Sequence, residues 1–170
     1  MIAIIGGNPS RFAGHVKLFY RALAQFGQMQ LPVGQHAIGH IAPTDAEAAE
    51  AFWPAWQTTM TRAAGDRGSR PPARDSYMNE VREGALMIGS PETVAVKIAE
   101  CVRILNLSWF DLKYALNPLP WEHGNRSIEL YGREVVPRVR ELLGDYTPAV
   151  RVSTHPDHGM PTSRPPSGQK

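Results

Sequence analysis

The sequence predicts an α/β fold in which helices pack against a parallel sheet. Strand-like and helix-like segments alternate along the chain, an order that is typical of parallel sheets. The clearest unit is 89–114, where a capped helix start leads into an apolar helical stripe and then into a short alternating strand. A second unit, a strand followed by a helix, opens the chain at 2–27. A length of 170 residues favours a single domain.

The composition is that of an ordinary globular protein and excludes several classes of function. Hydrophobic residues make up 42% and charged residues 20% of the chain. The net charge is +2, and much of the basic excess lies near the C-terminus, so we expect no nucleic-acid surface. No apolar run approaches the ~20 residues of a membrane span, and the run at 2–5 is too short for a signal peptide. We therefore expect a cytoplasmic protein, with its single cysteine, Cys101, in the core.

The first unit is predicted from an apolar run, 2–5, that is closed by Gly6 and Gly7. Asn8 can cap the following helix and Pro9 can occupy its first position. The apolar positions of that helix recur at helical spacing: Phe12, Val16, Phe19, Leu23 and Phe26. The glycines do not form the dinucleotide-binding fingerprint, because a third glycine and the later acidic residue are missing. Either an anion site or a simple βα turn explains the two glycines.

The second unit is predicted at 33–42, a strand weakened by two glycines, followed by a long helix. Thr44 and Glu47 form the capping box that opens this helix. Its apolar side consists of Ala48, Ala49, Phe52, Trp53, Trp56 and Met60. Pro54 is expected to kink it, and 65–74 reads as a polar loop.

The next segments lead to the clearest helix. Residues 77–83 form one or two helical turns or have no regular structure. Residues 85–88 form a short buried strand or, equally well, no strand. Ser90 then caps a helix that ends at Asn106, and 110–114 alternates as a strand with one buried face. The apolar stripe of the helix is Val94, Ile98, Cys101, Val102 and Leu105.

The chain closes with a helix predicted at 125–143, bent at Pro137 and stopped at Gly144. We expect 145–170 to be a disordered tail, which leaves 1–144 as the folded part. A closed (β/α)8 TIM barrel needs eight βα units in about 250 residues, whereas three to four units are predicted here. The fold class is therefore α/β, an incomplete portion of such a barrel.

Candidate functional residues lie at the carboxyl ends of the predicted strands, where the active sites of such barrels gather. His36 and His40 point to the same side of their strand, but no third ligand completes a metal site. His40, nearer the carboxyl end, is the candidate for catalysis, and a structural histidine explains it equally well.

The last strand ends in Lys113 and Tyr114, which belong to the same rim. Asp111 and Lys113 lie on one face of this strand, so they either pair across a polar layer or contribute to the site. Glu122 and His123 follow in the rim loop and are expected to be solvated.

Several motifs together resemble the C-terminal part of luciferase-like flavin-dependent monooxygenases. They are the run Gly-Ser-Pro-Glu-Thr-Val-Ala from residue 89, the strand Trp-Phe-Asp-Leu-Lys-Tyr from residue 109, and the Pro-Leu-Pro loop that follows. The helix sequence from Ser127 and the opening Ala-Ile-Ile-Gly-Gly-Asn-Pro-Ser-Arg-Phe-Ala are also similar. The resemblance covers residues 1 to about 144.

The resemblance implies strands six to eight of a TIM barrel that oxidises a small organic substrate with O2 and reduced FMN, or that uses a deazaflavin. The strands that hold the flavin ring and the loop for its phosphate are expected to precede Met1. Transferred residue by residue, the resemblance implies catalytic roles for His40 and Lys113. It implies contacts with the cofactor for Gly6, Gly7, Gly89, Ser90 and Tyr114.

We therefore expect the protein to be a truncated oxidoreductase that binds flavin weakly or not at all. Open sheet edges would favour self-association, or pairing with the missing amino-terminal half. The alternative from another class is a non-enzymatic half-barrel that dimerises or complements a separate half.

Overall fold

A computed structural model describes residues 1–66, 68, 70–114, 116 and 118–148 of the chain. Most of the tail expected at 145–170 lies outside these residues. The strands are β1 (Ile2–Ala3), β2 (Gly34–Ile41), β3 (Met87–Gly89) and β4 (Trp109–Lys113). The helices are α1 (Ala13–Gln25), α2 (Asp45–Gly65), α3 (Arg74–Arg82), α4 (Pro91–Leu105), α5 (Trp121–Leu130) and α6 (Val136–Leu143).

The strands form a parallel sheet in which β2 is the common partner. Its amino-terminal half pairs with β1, with Ala3 opposite His36, and with β4. Its carboxyl-terminal half pairs with β3, with His40 opposite Ile88. In a closed barrel each strand pairs with its neighbours in the chain, whereas here β4 pairs directly with β2. The α/β class and the incomplete, open barrel are therefore confirmed, with β2 at the centre of the sheet.

Two apolar clusters cover opposite faces of β2 and β3. Ala37 and Ile41 belong to a cluster with the apolar stripe of α4, whereas Ala42 belongs to a cluster with Phe52 of α2. Successive side chains of a strand point to opposite faces, so the two clusters lie on the two sides of the sheet. The second cluster also contains Tyr77 of α3. Helix α2 thus brings its buried face onto the carboxyl end of β2.

The helix starts follow the capping chemistry expected from the sequence. The Thr44 side chain accepts from the Glu47 amide at 3.2 Å at the start of α2. The Ser90 side chain accepts from the Thr93 amide at the start of α4. Asn106 ends α4 with φ of 52°, a left-handed conformation that asparagine tolerates. The predictions of these three boundaries are confirmed.

Several predicted boundaries are wrong. Strand β1 covers only Ile2–Ala3, because the chain then turns into a 3-10 turn, Pro9–Phe12, that precedes α1. The open segment 77–88 contains a helix and a strand, but β3 begins only at Met87. The last helix begins at Trp121 and passes through a π-helical turn at Tyr131–Val135, just before Pro137. A proline lacks the N–H of a regular turn, which accounts for the irregularity at this place.

Helix α1 covers the sheet only in part. Val16 is its buried residue, whereas Leu18, at 57%, and Phe26, at 70%, are largely exposed. Ile5, after β1, is also exposed. The apolar stripe that predicted α1 is real, but part of it faces outwards.

Candidate functional site

A cavity of about 540 Å³ lies at the carboxyl end of β2. His40 and Ile41 of β2 form its inner wall, and the amino-terminal half of α2 forms a second wall. The start of α5 contributes His123 and Arg126. A volume of this size is typical of sites for small organic ligands. The position is the one where the sequence places the site, at the end of a parallel strand.

His40 is the buried polar group of this cavity. Its side chain is 1% exposed, and its ring stacks on Phe52 with the ring centres 5.5 Å apart. Within the described part of the chain, its Nδ1 atom has no hydrogen-bond partner. Buried polar atoms are normally paired, so this Nδ1 atom leaves one hydrogen-bonding position of His40 unused by the described residues. The predicted role of His40 in catalysis stays a prediction.

The environment keeps the His40 imidazole neutral. Burial first, and then the nearby His123, whose ring centre lies 6.3 Å away, together lower the pKa of His40 to about 4. A neutral imidazole carries one donor and one acceptor nitrogen. At neutral pH, His40 can therefore donate a hydrogen bond to a bound ligand or accept one from it, without bringing a charge into the cavity.

His36 does not join His40 in the cavity. Its Nδ1 lies 2.6 Å from Oδ2 of Asp111, which stands opposite it in the register of β2 and β4. Asp111 therefore pairs with His36, and this contact replaces the pairing with Lys113 that the sequence left open. The pair ties the two strands together at their exposed faces.

A carboxylate from elsewhere in the chain binds the turn after β1. Both carboxylate oxygens of Glu80, in α3, lie 2.9 Å from the Gly7 amide nitrogen, which donates to them. The same carboxylate accepts from the amide of Ala85 at 3.3 Å. Gly6 borders this carboxylate, since a Cβ built on it would lie 3.4 Å from Glu80. The anion site that the sequence left open at Gly6 and Gly7 is thus occupied by a side chain of the chain itself.

A carboxylate of the chain also binds the backbone amide at the start of α4. Oδ1 of Asp45 accepts from the Ser90 amide at 2.6 Å, and Oδ2 accepts from the Thr93 hydroxyl at 3.0 Å. These hydrogen bonds, the one from the Ser90 amide first, lower the pKa of Asp45. Gly89 has φ of 155°, and a Cβ there would lie 2.8 Å from Asp45. The described residues therefore offer a phosphate no open amide at Ser90.

Lys113 and Tyr114 lie at the end of β4 and are exposed. Neither lines the His40 cavity. Among the described contacts, Lys113 forms no hydrogen bond or ion pair. Their roles towards substrate and cofactor remain predictions.

The sequence missed three residues that shape the site. His123 is exposed, as expected, but it lies in α5 instead of a loop and it also lines the cavity. Asp45 and Glu80 bind the two amides from elements distant in sequence. Asp45 had a signal, because an acidic residue in a first helical turn often binds nearby donors. Glu80 had none, since its contact spans 73 residues.

The described residues contain no group of three or more histidine, cysteine or acidic side chains that could hold a metal ion. None of their helices is long and apolar enough to cross a membrane. Cys101 is buried, and burial raises the pKa of its thiol to about 11, in agreement with its predicted place in the core.

Solved structures share this fold. Monooxygenase RslO1 from Streptomyces bottropensis matches 77% of this chain with a TM-score of 0.61 and 15% identity. The FMN complex of the oxygenating constituent of 3,6-diketocamphane monooxygenase from Pseudomonas putida matches 78%, with a TM-score of 0.51 and 21% identity. The coenzyme F420-dependent tetrahydromethanopterin reductase from Methanopyrus kandleri matches 81%, with a TM-score of 0.53 and 17% identity.

The matches cover only part of these proteins, namely 39%, 41% and 44% of their chains. No family model and no curated protein matches the sequence. At these identities the likeness shows the fold. This chain therefore has the fold of part of the luciferase-like flavin-dependent monooxygenases, which confirms, for the fold, the resemblance carried by its sequence motifs.

Proposed function

We propose that this chain supplies the substrate-facing part of a flavin-dependent oxidoreductase. The class of reaction is the oxidation of a small organic substrate with reduced flavin and O2. The observation that carries the proposal is the neutral, buried His40 with an unpaired Nδ1 at a cavity of about 540 Å³. Flavin and F420 enzymes with this fold support it, as does the site's position at the carboxyl end of a parallel strand.

In this proposal His40 positions the substrate by a single hydrogen bond. The apolar side chains of the cavity, Ile41, Ala42, Pro43 and Ala51, contact the carbon skeleton, and its charged residues lie at the exposed rim. A carbonyl or hydroxyl group of the substrate completes the bonding of Nδ1. Lys113 and Tyr114 are proposed to act from the rim of β4.

Binding of compact probe molecules tests the role of His40. We expect cyclohexanone to shift the ring-nitrogen NMR signals of His40 and to bind roughly tenfold more tightly than cyclohexane, because only the ketone can accept a hydrogen bond. His40→Gln should reduce this preference, whereas the exposed control His15→Gln should keep it. Equal binding of both probes would show that His40 is structural.

We also propose that the chain alone binds FMN or a deazaflavin weakly. The support is that Glu80 and Asp45 occupy the amides of Gly7 and Ser90. A fluorescence titration of FMN at micromolar protein should therefore show no tight, stoichiometric quenching. Stoichiometric binding would contradict this part of the proposal.

The second candidate is a non-enzymatic half-barrel that dimerises or pairs with a separate amino-terminal half. It is favoured by the outward-facing apolar side chains of α1 and by the short strand β1, which pairs with β2 alone among the described strands. Light scattering coupled to size exclusion, with and without a candidate amino-terminal half, tests it. A monomer that ignores the added half would exclude this candidate.

A further inference from the structure

A second cavity adjoins the His40 cavity in the layer of helices, and Glu50 lines both. It has a volume of about 620 Å³ and lies between α2, α3 and α4, with Ile88 of β3 among its lining residues. We call it the interhelical groove. The apolar residues that line it are Ala46, Ala49, Met78, Val81, Ile88 and Val96.

Two cationic side chains line the same groove. Lys97, in α4, is half-buried and donates to the carbonyl oxygens of Val81, at 2.7 Å, and Leu86, at 2.5 Å. Arg82, at the end of α3, bonds only to the amide oxygen of Asn79 among its described contacts. Neither cation forms an ion pair within the described residues.

The acidic side chains around the groove already have partners. Asp45 binds Ser90 and Thr93, and Glu92 pairs with Arg138 through two contacts, at 2.8 and 2.9 Å. Glu50 pairs with Arg74. Glu80, Glu100 and the groove's own Asp45 raise the pKa of Lys97 through space, but none of them forms an ion pair with it among the described residues.

A half-buried ammonium without a carboxylate partner is costly, because burial penalises its charge. Burial accordingly lowers the pKa of Lys97. A carboxylate placed beside Lys97 and Arg82 would compensate this charge. An aliphatic chain attached to that carboxylate would cover the apolar residues of the groove.

We propose that the interhelical groove binds a medium-chain aliphatic monocarboxylate, with its head group at Lys97 and Arg82 and its chain along Val96 and Met78. The residues of α4 that line the groove, from Glu92 to Lys97, span about 7.5 Å along the helix axis, which favours a chain of moderate length. This site adjoins the proposed substrate cavity, because Glu50 lines both, but it is distinct from it, because neither His40 nor His123 lines the groove.

Decanoate, decanol and decyltrimethylammonium have the same chain and different head groups, so they test the proposal directly. With protein carrying ¹³C in its methionine methyl groups, we expect decanoate to shift the Met78 signal and to bind roughly tenfold more tightly than decanol. Decyltrimethylammonium should bind more weakly than either. Equal affinity of decanoate and decanol, or an unchanged Met78 signal, would overturn the proposal.

Variants separate the head-group contact from the groove. Arg82→Gln should weaken decanoate binding several-fold and leave decanol unchanged, and Lys97→Met should have a larger effect of the same kind. Ala46→Trp should block both ligands, because Ala46 lines the groove from an exposed position. Ile128→Ser, exposed and outside the groove, is the matched control. If Lys97→Met does not fold, Arg82→Gln and the unmodified protein still test the proposal. The site is refuted if Arg82→Gln binds decanoate as tightly as the unmodified protein does and the unmodified protein shows no preference for decanoate over decanol.

Discussion

Glu80 places its carboxylate 2.9 Å from the amide nitrogen of Gly7 and so joins α3 to the turn after β1. The contact satisfies a backbone donor and holds the first strand near the loop that leads to β3. The carboxylate also occupies the position at Gly6 and Gly7 where the sequence left an anion site open. The contact therefore contributes to the stability of the fold, and it also supports the proposal that the chain alone binds flavin weakly.

Removing this carboxylate should destabilise the protein. Hydrogen bonds to charged groups contribute about 1.5–3 kcal/mol, so Glu80→Ala should lower the free energy of unfolding by about 2 kcal/mol. Glu83→Ala is the control, because Glu83 is exposed and nearby. Urea denaturation followed by circular dichroism measures both. Equal losses in the two variants would show that the Glu80 contact adds nothing.

Asp45 should make stability depend on acidic pH. Its pKa is lowered in the folded protein, so its contribution is present above the ordinary value of 3.8 and is lost as the pH falls through the lower folded value. Asp45→Asn should therefore be less stable than the parent at pH 6 and closer to it at pH 3. Thermal unfolding at these two pH values measures the difference. A constant gap would contradict the bonding of Asp45 to Ser90.

His40 should make the free energy of unfolding depend on pH in a higher pH range than Asp45 does. The unfolded imidazole takes up a proton near pH 6.5, whereas folded His40 does so only at about 4. Stability should therefore be full above pH 6.5 and fall by up to about 3 kcal/mol as the pH drops to 4. His40→Gln should flatten this slope in urea unfolding, and the exposed control His15→Gln should not. A slope unchanged in His40→Gln would mean that His40 is charged or exposed.

Gly39 should tolerate no side chain. A Cβ at this position would lie 2.6 Å from the backbone oxygen of Met87, a contact that requires β2 and β3 to separate. Gly39→Ala should therefore cost several kcal/mol, about the range of severe core changes. At Gly132 nothing lies within 4 Å of the added methyl, so Gly132→Ala should be neutral or stabilising. Chemical denaturation of both variants measures the contrast.

The sequence predicted elements whose signals are local. Thr44 and Ser90 cap their helices through contacts three residues away, and alternation located β4. These features depend on short-range sterics and hydrogen bonding, which one segment contains in full. The predicted place of His40 at a strand end followed from the same reasoning.

Contacts between distant segments were beyond prediction. The bonding of Asp111 to His36 depends on β4 pairing with β2, and chain order alone suggests other neighbours. The hydrogen bond from the Gly7 amide to Glu80 likewise forms only when α3 packs beside the turn after β1. Strand β1 was predicted too long, because apolar character alone does not show where a strand loses its partner.

A comparison of FMN with riboflavin tests the account most directly, because the two ligands differ only in the phosphate. If Glu80 and Asp45 occupy the amides at Gly7 and Ser90, FMN should bind no more tightly than riboflavin in a fluorescence titration. Glu80→Ala and Asp45→Ala together, which remove the oxygen atoms that accept from these amides, should then increase the affinity for FMN selectively. Clearly tighter binding of FMN by the unmodified chain would contradict the account.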